Sequence, residues 1–224
     1  MPTPSPSPVR RPTLPFVHGI LVFCCILLAP QATATTVVVV DADRLVRDAS
    51  QIVHVRCRSC ESYRNDDGLI VTRYQFDVLE TLKGTAVGTL ECVQPGGRIG
   101  NLVTVVPGLM RYDAQQELIL FLAPENANSD YRLPVGLDQG VYRIATDRGT
   151  GVRIARRDLS GLHTLSPADG QPAAARAFPE GLPVADFKSR VRDQVQRQKD
   201  SATGERSTGA TQQGSHQTSE RSKQ

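Results

Sequence analysis

The chain lacks tryptophan, has two methionines, and is only 5% aromatic over 224 residues. A core built from this composition must be filled by branched aliphatic side chains with few rings to anchor it. A dominant charge is missing too: 26 Lys and Arg stand against 23 Asp and Glu, a net of +3. That balance excludes a strongly basic nucleic-acid binder by bulk charge. The usual catalytic and nucleotide-binding signatures are absent: there is no Gly-x-Ser-x-Gly, no His-Glu-x-x-His and no Gly-x-x-x-x-Gly-Lys. His54 and His163 are the only imidazoles between residues 35 and 198, and neither lies near a nucleophile motif.

The first feature present is an export signal. Residues 1–15 are rich in Pro and Ser, with Arg10 and Arg11 as their only charges, and the apolar run FVHGILVFCCILLA follows at 16–29. The run is short of the roughly 20 residues that span a bilayer as a helix. Ala32-Thr33-Ala34 then supplies a small-residue cleavage site. Residues 1–34 are therefore predicted to be a signal peptide cleaved after Ala34, placing the protein in the periplasm or outside the cell, with no membrane span left. At the other end, residues 199–224 contain no Val, Ile, Leu, Met or aromatic residue. Such a segment buries too little apolar surface to offset its ordering entropy, so a disordered polar tail is expected.

Residues 35–198 carry twenty charges of each sign and read as mainly β. Strands are predicted at 37–40, 52–59, 70–82, 87–93, 102–106, 118–122, 141–144 and 152–155 from β-branched runs and period-2 alternation. In the long segment 70–82, Thr72, Tyr74, Phe76 and Val78 share the inner face. Asp41 is a natural N-cap for a short helix over 42–49. Asn65-Asp66-Asp67-Gly68 and the run from Asp147 to Gly151 are turn signals. Residues 161–179 read as a loop rich in Pro, Ala and Gly. A C-terminal amphipathic helix is predicted over 183–198, with Val184, Phe187, Val191 and Val195 spaced by three, four and four. Many short strands joined by turns suggest a closed barrel, which removes exposed edges.

Three cysteines follow the signal: Cys57, Cys60 and Cys92. In an oxidising compartment one pair is expected to bridge, and Cys57–Cys92 or Cys60–Cys92 is preferred. Cys57 and Cys60 are too far apart along an extended strand for an internal bond, about 10 Å against the 7 Å limit. The Cys57-Arg58-Ser59-Cys60 spacing nevertheless supplies the alternative reading, a periplasmic thiol-redox protein. His54 with the three cysteines could be drawn as a zinc set, but His54 and Cys57 face opposite sides of one strand. No cofactor is implied. The candidate contact loops are Asn65, Asp66, Asp67 and Gly68, and the glycine-rich connection containing Pro95, Gly96, Gly97, Arg98 and Gly100.

Leu45 to Val55, then Tyr74-Gln75-Phe76-Asp77-Val78, Leu82-Lys83-Gly84 and Glu117-Leu118-Ile119-Leu120-Phe121-Leu122, occur in an order that resembles netrin-like modules and the N-terminal domain of tissue inhibitors of metalloproteinases. The order LKG, QPGG, ELILFL is also similar to a set of uncharacterised exported bacterial proteins. The resemblance covers residues 35–122 and implies an OB-like (TIMP/NTR-like) barrel with additional strands and, by extension, a protein-binding role. The inhibitors act through an N-terminal cysteine. Here the predicted mature N-terminus is Thr35 and no cysteine lies between it and Cys57, so inhibition is not implied. The expected function is an exported, non-enzymatic interaction module whose partner is another envelope or secreted protein, not a nucleic acid.

Overall fold

A computed structural model of the chain describes residues 36–126, 129–159, 163–165 and 177–217. The predicted signal peptide, its cleavage point, most of the 161–179 loop and residues 218–224 of the predicted tail lie outside the described residues.

The elements in chain order are β1 (Thr36–Val38), α1 (Ala42–Asp48), β2 (Gln51–Arg64), β3 (Ile70–Lys83), β4 (Thr89–Pro95), β5 (Gly97–Ile99) and β6 (Leu102–Thr104). Then follow β7 (Glu117–Leu122), a 3-10 turn (Leu137–Gly140), β8 (Val141–Thr146), β9 (Arg153–Arg156), β10 (His163–Leu165), β11 (Leu182–Pro183) and α2 (Val184–Gln217). Seven strands form one antiparallel sheet in the order β11-β9-β8-β7-β2-β3-β4. β1 pairs in parallel with β10, and β5 pairs with β6. The predicted mainly-β class with a short N-terminal helix and a C-terminal helix is found.

Local chemistry sets the joints. Asp41 caps α1 by accepting from the Arg44 N–H at 2.7 Å. At the β2–β3 turn the Gly68 N–H reaches Asn65 O at 2.9 Å, and Asn65 Oδ1 accepts from the Leu69 N–H at 2.8 Å. At the β8–β9 turn Asp147 Oδ1 accepts from the N–H groups of Gly149 and Thr150.

The sheet is open, which corrects the expected closed barrel. β11 is two residues long, includes Pro183 with no N–H to give, and leads directly into α2. Both helices lie on one face, where residues of α1 and α2 share a core with Ile52, Ile119, Phe121 and Tyr142. The other edge, β4, meets the connection between β7 and β8 through a bond from Arg132 N–H to Val93 O at 3.1 Å. The sheet coils strongly on the way. Arg58, Leu79 and Leu82 have no partner in the β2–β3 ladder, marking three bulges. The inner parity read for β3 therefore holds from Thr72 to Val78 and then changes. Glu80 and Leu82 turn to the helix side, and Leu79 is left exposed.

Two cores result, one on each face. On the helix face Phe121, Tyr142, Phe178 and Phe187 form a ring cluster, with Tyr142 and Phe187 centroids 4.4 Å apart. The α2 stripe Val184, Phe187, Val191 and Val195 is buried there, as its spacing predicts. On the opposite face Tyr74, Phe76 and Tyr112 pack with Val53, Val55, Leu118 and Leu120. α2 runs on to Gln217, past the predicted end at 198. Gln198 is its last described side chain bonded to another element, through Nε2 to Asp43 O at 2.7 Å.

Leu82-Lys83-Gly84 acquires a physical account. Leu82 enters the helix-side core. Lys83 Nζ donates to the carbonyls of Val46 (2.5 Å) and Ala49 (2.6 Å), closing the C-terminal end of α1. Gly84 has φ +89°, and a Cβ there would lie 2.8 Å from Ser50 O. Lys83→Met keeps the aliphatic stem and removes the donors. It should lower the stability by roughly 1–2 kcal/mol, read as a shift in urea midpoint at constant slope. An unchanged midpoint would show that water caps these carbonyls equally well.

Candidate functional site

The far end of the β2–β3 hairpin brings both predicted contact loops together. The glycine-rich connection is not a loose loop: its middle, Gly97–Ile99, is itself strand β5, and the segment is strapped to the hairpin. The Gly96 N–H bonds Ile70 O at 2.9 Å, Thr72 Oγ1 donates to Gly96 O at 2.7 Å, and the Arg98 N–H bonds Ser62 Oγ at 3.1 Å. Gly97 is buried, and a Cβ there would collide with the hydroxyls of Ser62 and Thr72. Only glycine lets β5 lie this close. Asp66, Asp67, Gly68, Arg98 and Gly100 remain exposed, whereas Gly96 is buried and Asn65 and Pro95 are half-buried.

Beside these loops lies an apolar surface that was not foreseen. Leu69 is 55% exposed, Leu102 54%, Val103 48% and Val105 75%. A shallow groove of about 470 Å³ runs between Leu69, Ile70, Pro95, Val103 and Val106, with Arg64 as its one charged lining residue. The available signal was in the sequence. Residues 102–106 read LVTVV, with no charge on either parity, unlike the alternating β2 and β3. A strand with one wet face carries polar residues on it.

The cysteines do not converge. None is bridged: Cys57 and Cys92 are buried thiols and Cys60 is exposed. The preferred disulfides fail because β3 lies between the strands that carry them. Cys57 faces Phe76, while Cys60 and Cys92 stand on opposite sides of Tyr74. Two strand spacings are about 9.5 Å, beyond disulfide reach. Burial pushes the Cys57 thiol up to about 11 and the Cys92 thiol up to about 12. Such groups stay protonated and act as small apolar side chains. Among the described residues no three His, Cys, Asp or Glu side chains converge as a metal set.

His54 instead joins a charged cluster on the helix face. Its Nε2 lies 2.6 Å from Glu117 Oε1, and Glu117 is also held by Arg153. The neighbouring Glu80 pairs with Lys188 (2.7 Å) and Arg192 of α2. Burial lowers the His54 imidazole below its ordinary value of 6.5, against the opposing pull of Glu117. Burial would raise the Glu117 carboxyl, but the bonds from Arg153 and His54 outweigh it and hold it low. Among the described residues the hydrogen-bond partner of His54 is the Glu117 carboxylate, and no hydroxyl or thiol is bonded to the imidazole. The pair was missed because its members are 63 residues apart.

Comparison of the chain with protein-family models, with curated proteins and with solved structures finds no match.

Two outcomes are expected. With iodoacetamide at pH 8, Cys60 is modified in the native protein, while Cys57 and Cys92 react only after unfolding, as mass spectrometry would show. Ready native labelling of Cys57 would contradict its burial. The depressed His54 binds its proton less readily folded than unfolded, so its contribution is complete above 6.5 and is lost as pH falls below that value. His54→Gln should therefore lose less stability than the parent between pH 7 and pH 5, compared by urea midpoints.

Proposed function

We propose that the chain is an exported, non-enzymatic interaction module that binds another protein of the envelope or the secreted space. The observation that carries this reading is the apolar end of the β2–β3 hairpin, where Leu69, Leu102, Val103 and Val105 face solvent side by side with the two candidate loops. Apolar exposure of this kind, with the exposed charges Asp66, Asp67 and Arg98 on the two candidate loops, marks a surface that a partner covers. The raised, buried Cys57 thiol lends no support to the thiol-redox alternative, which pairs it with Cys60. No described helix is long and apolar enough to cross a membrane. The OB-like, netrin-type likeness belongs to the same proposal. The bulged β2–β3 pair and the Arg132–Val93 bond favour it, while the open edge between β4 and β11 departs from it.

The test compares tagged parent chain with Leu69→Glu/Val105→Glu on envelope extract, with any captured chain, a second copy included, counted as a partner. Both sites are exposed, so the melting temperature should stay within about 2 °C. Capture should fall at least tenfold. Equal capture by the folded variant would remove the tip from the interaction.

A further inference from the structure

Both terminal strands of the main sheet are protected. β11 is short, contains Pro183 and runs into α2. β4 carries the charged, exposed Glu91, ends at Pro95 and is met by Arg132 N–H at Val93 O. These are the devices by which folded chains keep edges from pairing with other chains. β6 is short as well, but it carries no charge and no proline and receives no bond from a neighbouring described segment on its outer side. It pairs on one side only, with β5 in the register Gly97–Thr104, Arg98–Val103 and Ile99–Leu102. Residues 101–105 are all exposed, and Leu102, Val103 and Val105 present bare aliphatic surface on both faces of the ribbon. No described residue bonds the backbone of residues 102–105 from the other side. The first protecting residue is Pro107, beyond the strand.

From this contrast we infer that β6 pairs with β6 of a second copy of the chain, antiparallel about a two-fold axis at Thr104. The inference rests on the tip being an interaction surface and names its partner. The sequence is self-complementary in that register. Thr104 meets Thr104, Val103 meets Val105, and Leu102 meets Val106, so like polarity faces like and no charge is placed opposite its own sign. A two-fold pairing closes on itself, using each free edge once and leaving none for further growth. Shifting the axis by one residue to Val103 sets Thr104 against Leu102 and leaves Val105 without an apolar partner, so Thr104 is the favoured centre. A five-residue ribbon is small beside the roughly 1,000 Å² that stable interfaces bury, so the dimer is weak and concentration-dependent.

The test uses the full chain with Cys24, Cys25 and Cys60 replaced by serine. Sedimentation across about 5–200 μM should show a reversible monomer–dimer equilibrium. Val103→Lys, or Val105→Lys as a second edge variant, should weaken it at least tenfold without changing the melting temperature. Thr104→Cys should form a disulfide-linked dimer on mild oxidation, because directly opposed Cβ atoms lie about 4.5–5.5 Å apart. Adding Val103→Lys should suppress that cross-link. A chain that stays monomeric at 200 μM, or a Thr104→Cys cross-link insensitive to Val103→Lys, overturns the self-pairing. If the chain is monomeric yet the Leu69→Glu/Val105→Glu variant loses an envelope partner, self-pairing fails while the interaction reading stands. If both measurements are negative, both fall.

Discussion

β7 has no face turned to water, and the rest of the molecule answers that constraint. Antiparallel sheets commonly keep one solvated side, which gives their strands an alternating pattern. Glu117–Leu122 does not alternate: Ile119 and Phe121 point to the helices, while Leu118, Leu120 and Leu122 point the other way. Two covers are needed. α1 and α2 supply one, with Leu45, Val46, Phe187 and Val191 buried. The coiled ends of β3 and β4 and the segment carrying Tyr112 supply the other. The scarcity of aromatics makes their division informative. The two ring clusters sit on opposite sides of β7, one in each core.

What the sequence revealed was local chemistry, and what it concealed was adjacency. Asp41, Asn65 and Asp147 act on N–H groups two to four residues away, so their roles could be read directly. The α2 stripe was equally plain, because one helix face is one spacing rule. Strand order is not a local property. The parity of Cys57 and Cys92 was right, and both thiols face one core, but β3 runs between them and removes the bridge that parity alone allowed. The bulges at Leu79 and Leu82 likewise depend on how β2 twists against β3, and they move Glu80 to the helix face. Helices on that face in turn leave the sheet open where a barrel was anticipated. Gly97 looked like a turn glycine. Its role is to let one backbone pass over Ser62 and Thr72, side chains from two other strands.

The unequal strand lengths tie the core to the candidate surface. β7 has six residues, about 20 Å, and pairs with β2 from Gln51 to Arg56. β2 and β3 each have fourteen, about 46 Å, so more than half of the hairpin projects past the strand that anchors it. The helices contact its near end, through Glu80 and Lys83 on β3. The β5–β6 ribbon covers part of the overhang, with Gly96 and Arg98 hydrogen-bonded to Ile70 and Ser62. A ribbon of two short strands cannot bury both of its own faces. Leu102, Val103 and Val105 are therefore exposed for a structural reason: they belong to the cover of an overhang and have no cover themselves. A hairpin cut to the length of β7 would lose Cys57, Tyr74 and Phe76 from the second core, so the near part of the overhang completes that core and the far part carries the ribbon. The extra length therefore does two things: its near part adds Tyr74 and Phe76 to the core opposite the helices, and its far part holds an uncharged strand edge clear of them.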